Sequence, residues 1–252
     1  MSEASTPGPA GGTAASVSVH RLLGVVLAGA PSVADVEYAV SGRVAAALSA
    51  HDEGSSAREL LRQHVEMVDR LFDVGPILPA RYGILVSDRT ELVGGFVAPH
   101  EQALAQSLHE VAGRAEFRVR IDQDEQGAVT EAVRRDPSLR GLGRVARTDT
   151  DTSPYGARVV LGERVARVVA DVTESDVETV VNLLAPFAVS VRGSAPPTSR
   201  VVFDASYLVE MERYDDFDAA VGQVIDALGA RAKVTATGPM APYSFTDLLA
   251  AR

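Results

Sequence analysis

An α+β fold of two domains is predicted by this sequence, and a change of hydrophobic period near residue 113 carries the prediction. Before it, apolar residues recur at helical spacing on both sides of a proline-broken segment, Gly75 to Gly83, GPILPARYG. After it, Phe117, Val119 and Ile121 alternate with Arg118, Arg120 and Asp122, the period of two of a half-buried strand. With 252 residues of which 46% are apolar, each domain can bury a core.

In the first domain, residues 17–113, the run VSVHRLLGVVLA at 17–28 suits a buried first strand and 44–48 a second, with Pro31, Ser32 and Gly42 punctuating the connection. Residues 51–56 are polar, a loop. Leu61, Val65, Val68 and Phe72 then fall at i, i+4, i+7 and i+11, one face of a helix that stops at Gly75-Pro76. Pro76 and Pro79 have no N–H to give a ladder, so GPILPARYG is expected to be an edge strand or an irregular extended segment with exposed backbone. A short helix over 91–97 follows, then one over about 99–111 with Leu104, Leu108 and Val111 on one face, ended by Gly113.

The second domain, 114–252, opens with the alternating strand. A helix over 125–135 precedes a charged, Gly-containing stretch that suits a mobile loop. Helical spacing returns at Leu161, Val165, Val168 and Val172, and again at Val177, Val180, Val181 and Leu184, before Pro186. Strands over 187–191 and 201–209 are joined by GSAPPTS. The next helix carries Phe217, Val221, Val224, Ile225 and Leu228 on one face, with Asp215 and Asp216 at its positive end and Gly229 as its cap. A last strand covers 233–237. The order β-α-β-β-α-β is that of a modified ferredoxin-like domain with a helical insertion in its first crossover.

Composition narrows the function. A net charge of −10 disfavours nucleic acid and anionic lipid. The chain has no cysteine, which removes disulfides and thiolate chemistry and fits a reducing, cytoplasmic setting. No apolar run approaches the roughly 20 residues of a membrane span, so no membrane insertion is expected. Residues 1–16, rich in Gly, Pro, Ser and Ala, lack the cationic and apolar regions of a secretory signal and are expected to form a disordered tail.

The search for chemistry returns little. No two of His20, His51, His64, His100 and His109 stand at i,i+3 or i,i+4, so no helical metal clamp exists. Residues 141–146, GLGRVA, match G-x-G-x-x-A, but RRDPSLR precedes them where an apolar strand would be needed. The pair Asp149 and Asp151 reads as a charged loop. No catalytic residue, cofactor or metal is therefore expected. Arg81 and Tyr82 are residue types enriched at binding hot spots, yet Arg81 has an internal alternative in Glu66 or Asp69 on the neighbouring helix. The C-terminal strap, GPMAPYSF at 238–245, either packs back on the sheet or offers Tyr243 and Phe245 to a partner. The candidate partner-binding set is Pro76, Pro79, Arg81, Tyr82, Tyr243 and Phe245.

Six segments in order, LGVV at 23–26, HVE at 64–66, PILPARYG at 76–83, GRAEFRVRI at 113–121, ASYLV at 205–209 and GPMAPYSF at 238–245, resemble the GvpF/GvpL family of gas vesicle proteins, in an actinobacterial-type form. The resemblance implies a non-catalytic accessory protein, gas vesicle associated, that contacts the hydrophobic shell protein GvpA and other accessory Gvp proteins during assembly. Two readings from other classes stand beside it: a ferredoxin-like small-molecule sensor, and an enzyme, which the scattered histidines disfavour.

Overall fold

The computed structural model describes residues 19–140, 154–194 and 200–246. Two antiparallel sheets succeed one another along the chain. The first contains β1 (His20–Leu27), β2 (Glu37–Ser41), β3 (Val44–Ala50) and β4 (Ile77–Pro79) in the order β2-β3-β1-β4, with β5 (Leu85–Val86) pairing β1 beyond β4. The helix α1 (Ala57–Val74) covers one face, where Val68 and Leu71 meet Leu23, Val26, Ala47 and Ile77. On the other face α3 (Glu101–Val111) places Leu104, Leu108 and Val111 against Leu22, Val25, Leu48 and Leu78. A strand covered on both faces has no polar side, which is why β1 is a continuous apolar run rather than an alternating one.

The second sheet runs β7-β8-β6-β9, from β6 (Arg114–Gln123), β7 (Ala188–Gly193), β8 (Val201–Glu210) and β9 (Ala232–Met240). Helices α4 (Glu125–Arg135) and α5 (Pro154–Leu184) fill the connection from β6 to β7, and α6 (Tyr214–Leu228) links β8 to β9. One face is apolar: Phe117, Val119 and Ile121 pack with Tyr207, Val209, Leu184, Phe217 and Leu228. The opposite face is polar. There Arg118 grips Asp204 through two bonds of 2.8 and 2.7 Å, and Arg120 pairs Asp122. The alternation at Phe117 thus maps onto the two faces as a half-buried strand requires.

Several expectations are corrected. β2 was absent from the prediction; it forms a hairpin with β3 through Gly42, whose φ of +54° suits a residue without Cβ. The buried stripe of α1 is Leu60, His64, Val68 and Leu71, while Leu61 and Val65 are 45% and 42% exposed. Leu60 and Leu61, like His64 and Val65, lie side by side on one broad apolar face, and the half turned inward is the one on which His64 reaches the Ala80 carbonyl. The segment over 91–97 is only partly α-helical, α2 (Arg89–Leu92) passing into a π-helical turn, Val93–Val97. The stripes at 161–172 and 177–184 belong to one continuous helix, α5. Ile225 is 49% exposed, unlike its neighbours Val221, Val224 and Leu228. The tail 1–16, the GLGRVA stretch, Asp149, Asp151 and most of the GSAPPTS turn lie outside the described residues.

Candidate partner-binding surface

A bulge in β1 positions the GPILPARYG segment. Leu22 pairs with Leu48 but Gly24 pairs with Ala47, so Leu23 is one residue extra on its strand. At Gly24 the backbone of β4 comes so near that a Cβ would lie 2.4 Å from the Leu78 carbonyl oxygen; only glycine fits. Gly24, Val25 and Val26 pair with Pro79, Leu78 and Ile77. The next residue, Ala80, donates its N–H to Leu23 O at 2.9 Å and its carbonyl lies 3.0 Å from His64 Nε2. The chain then leaves β1 for three residues and returns when Leu22 N donates to Ile84 O. Arg81, Tyr82 and Gly83, the last at φ +102°, are that excursion, and all three are exposed.

The segment's backbone is therefore not open as expected. Ile77, Leu78, Pro79 and Ala80 are all buried, and only the Arg81-Tyr82-Gly83 turn faces outward. Tyr82 is anchored from below: its hydroxyl donates to Ala57 O at 3.3 Å and its ring meets His64 edge-on at 5.8 Å. Arg81 makes no ion pair among the described residues. Glu66, one alternative, is paired with Arg62, and burial together with Asp73 and Glu66 raises the pKa of Asp69, the other. Burial pushes the pKa of His64 down, and its Nδ1 has no partner. Leu61 and Val65 stand one turn apart on the outer side of α1, which carries Ala57 and His64, so apolar surface adjoins the Tyr82 turn.

The strap packs back. Ala241 and Pro242 are buried, Ala241 inside the cluster of Leu23, Val68, Leu71 and Ile77 that belongs to the first sheet. Ser244 donates its N–H and hydroxyl to the Glu116 carboxylate at 2.7 and 2.6 Å, and its oxygen lies 3.0 Å from that of Ser206. Thr246 reaches Pro79 O at 3.4 Å. Tyr243 is half-buried, its hydroxyl unpartnered and its pKa raised by burial, while Arg192 lies 5.7 Å over the half-buried Phe245 ring. Of the six candidate residues, the structure brings Arg81 and Tyr82 together at the surface, leaves Pro76 and Phe245 half-buried, and turns Pro79 and Tyr243 inward. Leu61 and Val65, placed by sequence on one helix face with Val68 and Phe72, join the surface set instead; they sit at the edge of that broad apolar face.

Among the described residues no group of His, Asp or Glu is placed to hold a metal ion, and no helix is long and apolar enough to cross a membrane. What the fold and this surface define is a mixed helix-and-sheet protein whose two antiparallel sheets are tied by a C-terminal strap, with an arginine and a tyrosine displayed on one turn. The chain belongs to the GvpL/GvpF family: the family model described as gas vesicle synthesis protein GvpL/GvpF matches residues 7–247. It is similar to gas vesicle protein F of Streptomyces sp. (strain CB03234), 28% identical over 213 residues, 84% of this chain and 88% of that protein. It is also similar to gas vesicle protein F of Haloferax mediterranei, 25% identical over 229 residues, 88% of this chain and 85% of that one. The crystal structure of GvpF from Anabaena sp. PCC7120 shares the fold at a TM-score of 0.76 and 20% identity, covering 91% of this chain and 98% of its own. That of GvpF from Microcystis aeruginosa does so at 0.70, covering 92% and 100%.

Proposed function

We propose that this gas vesicle family protein is a non-catalytic, cytoplasmic assembly factor that holds the hydrophobic shell protein GvpA, and other accessory Gvp proteins, before they join the shell. The observation that carries the reading is the Arg81-Tyr82 turn beside exposed Leu61 and Val65, hot-spot residue types next to apolar surface on an otherwise charged helix. A shell subunit with a sticky surface aggregates unless that surface is covered, and a partner with a net charge of −10 keeps the pair dispersed. The two sheets are taken as two domains divided at 113/114, the second ferredoxin-like by its strand order, so that contacts on the first leave the second free for a further Gvp protein.

Capture of GvpA from a gas-vesicle-forming cell by the wild type and by the Arg81→Ala, Tyr82→Ala double variant tests this. Loss of capture with an unchanged melting temperature supports it. Normal capture moves the interface elsewhere, most directly to Phe245.

A further inference from the structure

Arg21, on β1 beneath α1, is 4% exposed, and no carboxylate hydrogen-bonds its guanidinium; the exposed Asp52 carboxylate, which feels its charge, is itself held by the Ser55 hydroxyl and the Gly54 N–H. One Nη donates to Leu60 O at 3.0 Å, the other reaches Gln63 Oε1 at 3.4 Å, and Nε has no partner. Both acceptors are neutral. A buried cation is ordinarily paired, because desolvation without a counter-charge is costly. Ser49, paired with Arg21 across β1 and β3 and so on the same face, is 1% exposed with an unpartnered hydroxyl. His51 Nδ1 is a third buried polar atom without a partner near this end of the sheet.

Arg21 lines a cleft of about 590 Å³, a size ordinary for small-molecule sites, whose other walls include Asp35, Val36, Ala50, Gln63 and Met67. The Glu37 carboxylate is already engaged by Arg89. Asp35 is exposed and makes no ion pair among the described residues. The cleft therefore offers a buried cation that no carboxylate bonds, an exposed carboxylate without an ion pair, and the apolar side chains of Val36 and Met67. A simple anion meets Asp35 and a simple cation meets Arg21, each with the same sign. A zwitterion with an apolar body satisfies both.

We infer that this cleft binds a free α-amino acid with an apolar side chain, its carboxylate on Arg21 and its ammonium toward Asp35.

The full-length protein is titrated by calorimetry and thermal shift with L-leucine, with L-leucinamide, which lacks the carboxylate, and with 4-methylpentanoate, which lacks the ammonium. Leucine is expected to raise the melting temperature, and each truncated probe to bind about ten-fold more weakly or worse. Asp35 has φ +65°, a conformation asparagine tolerates, so Asp35→Asn keeps the fold while weakening leucine about ten-fold and tightening 4-methylpentanoate, whose carboxylate no longer meets a like charge. Arg21→Gln abolishes binding; should that variant not fold, the Asp35→Asn comparison decides alone. The inference is overturned if leucine, methionine and valine at about 10 mM all leave the melting temperature unchanged. Equal binding of leucine and either truncated probe, or undiminished leucine binding by Asp35→Asn, overturns it as well.

Discussion

Glu116 and Ser244, 128 residues apart in sequence, are joined by two hydrogen bonds, the carboxylate accepting from the serine N–H at 2.7 Å and its hydroxyl at 2.6 Å. Glu116 is 2% exposed, a buried carboxylate that the strap must satisfy. Ser244→Ala removes the hydroxyl but keeps the backbone donor, and is expected to cost about 1–3 kcal/mol, since a hydrogen bond to a charged, buried group is lost. Urea denaturation measures it, and a midpoint equal to the wild type's would show that the Ser244 hydroxyl adds nothing to the strap's hold.

Gly24→Ala places a methyl group 2.4 Å from the Leu78 carbonyl, a clash with backbone that no side-chain rotation relieves. The β1–β4 pairing must open, and a loss of about 1–3 kcal/mol or more is expected, as for other overpacked sites. Amide exchange of Ala80, whose N–H is bound to Leu23, should quicken along with it.

On α6, Leu228 is fully buried and Ile225 is 49% exposed. Leu228→Ala should cost about 2–5 kcal/mol and Ile225→Ala no more than about 0.5 kcal/mol. Comparable losses from both would mean that the helix is rotated.

His64 carries a pH dependence. Burial lowers its folded pKa below the ordinary 6.5, so the cation is disfavoured in the fold relative to the unfolded chain. Stability from the neutral imidazole is complete above about pH 6.5 and declines as pH falls toward the lowered folded value. Comparing denaturation midpoints at pH 7.5 and 5.5 for the wild type and His64→Gln should show a steeper acid loss in the wild type. Equal slopes would remove His64 from the account.

The legible parts of this chain were those where period and burial agree. Alternation at Phe117, Val119 and Ile121 located β6, and Leu104, Leu108 and Val111 gave the inner face of α3. Neighbours such as Leu60 and Leu61 share one broad apolar face of α1, and hydrophobicity alone does not tell which turns further inward; the inner side is marked by His64 on the Ala80 carbonyl, a partner 16 residues away. β2 escaped because its five residues, EYAVS, are short and half-exposed. In GPILPARYG the prolines correctly marked an edge, but what covers that edge is Thr246 and the strap, a tertiary fact that local pattern does not contain. The Arg21 cleft left no sequence motif because its groups come from β1, the turn before β2, and α1.

The strap also sets an order of events during synthesis. Strands β1 to β5 are complete once residue 86 has been made, yet the cluster beneath α1 lacks Ala241, and the Pro79 carbonyl lacks Thr246, until the chain is almost finished. At about 5–20 residues per second, the first sheet waits on the order of ten seconds with a β4 edge that nothing covers. A nascent chain on the ribosome therefore displays a surface that the finished protein hides, and whatever meets the newborn first sheet in that interval meets a different molecule from the one that is released.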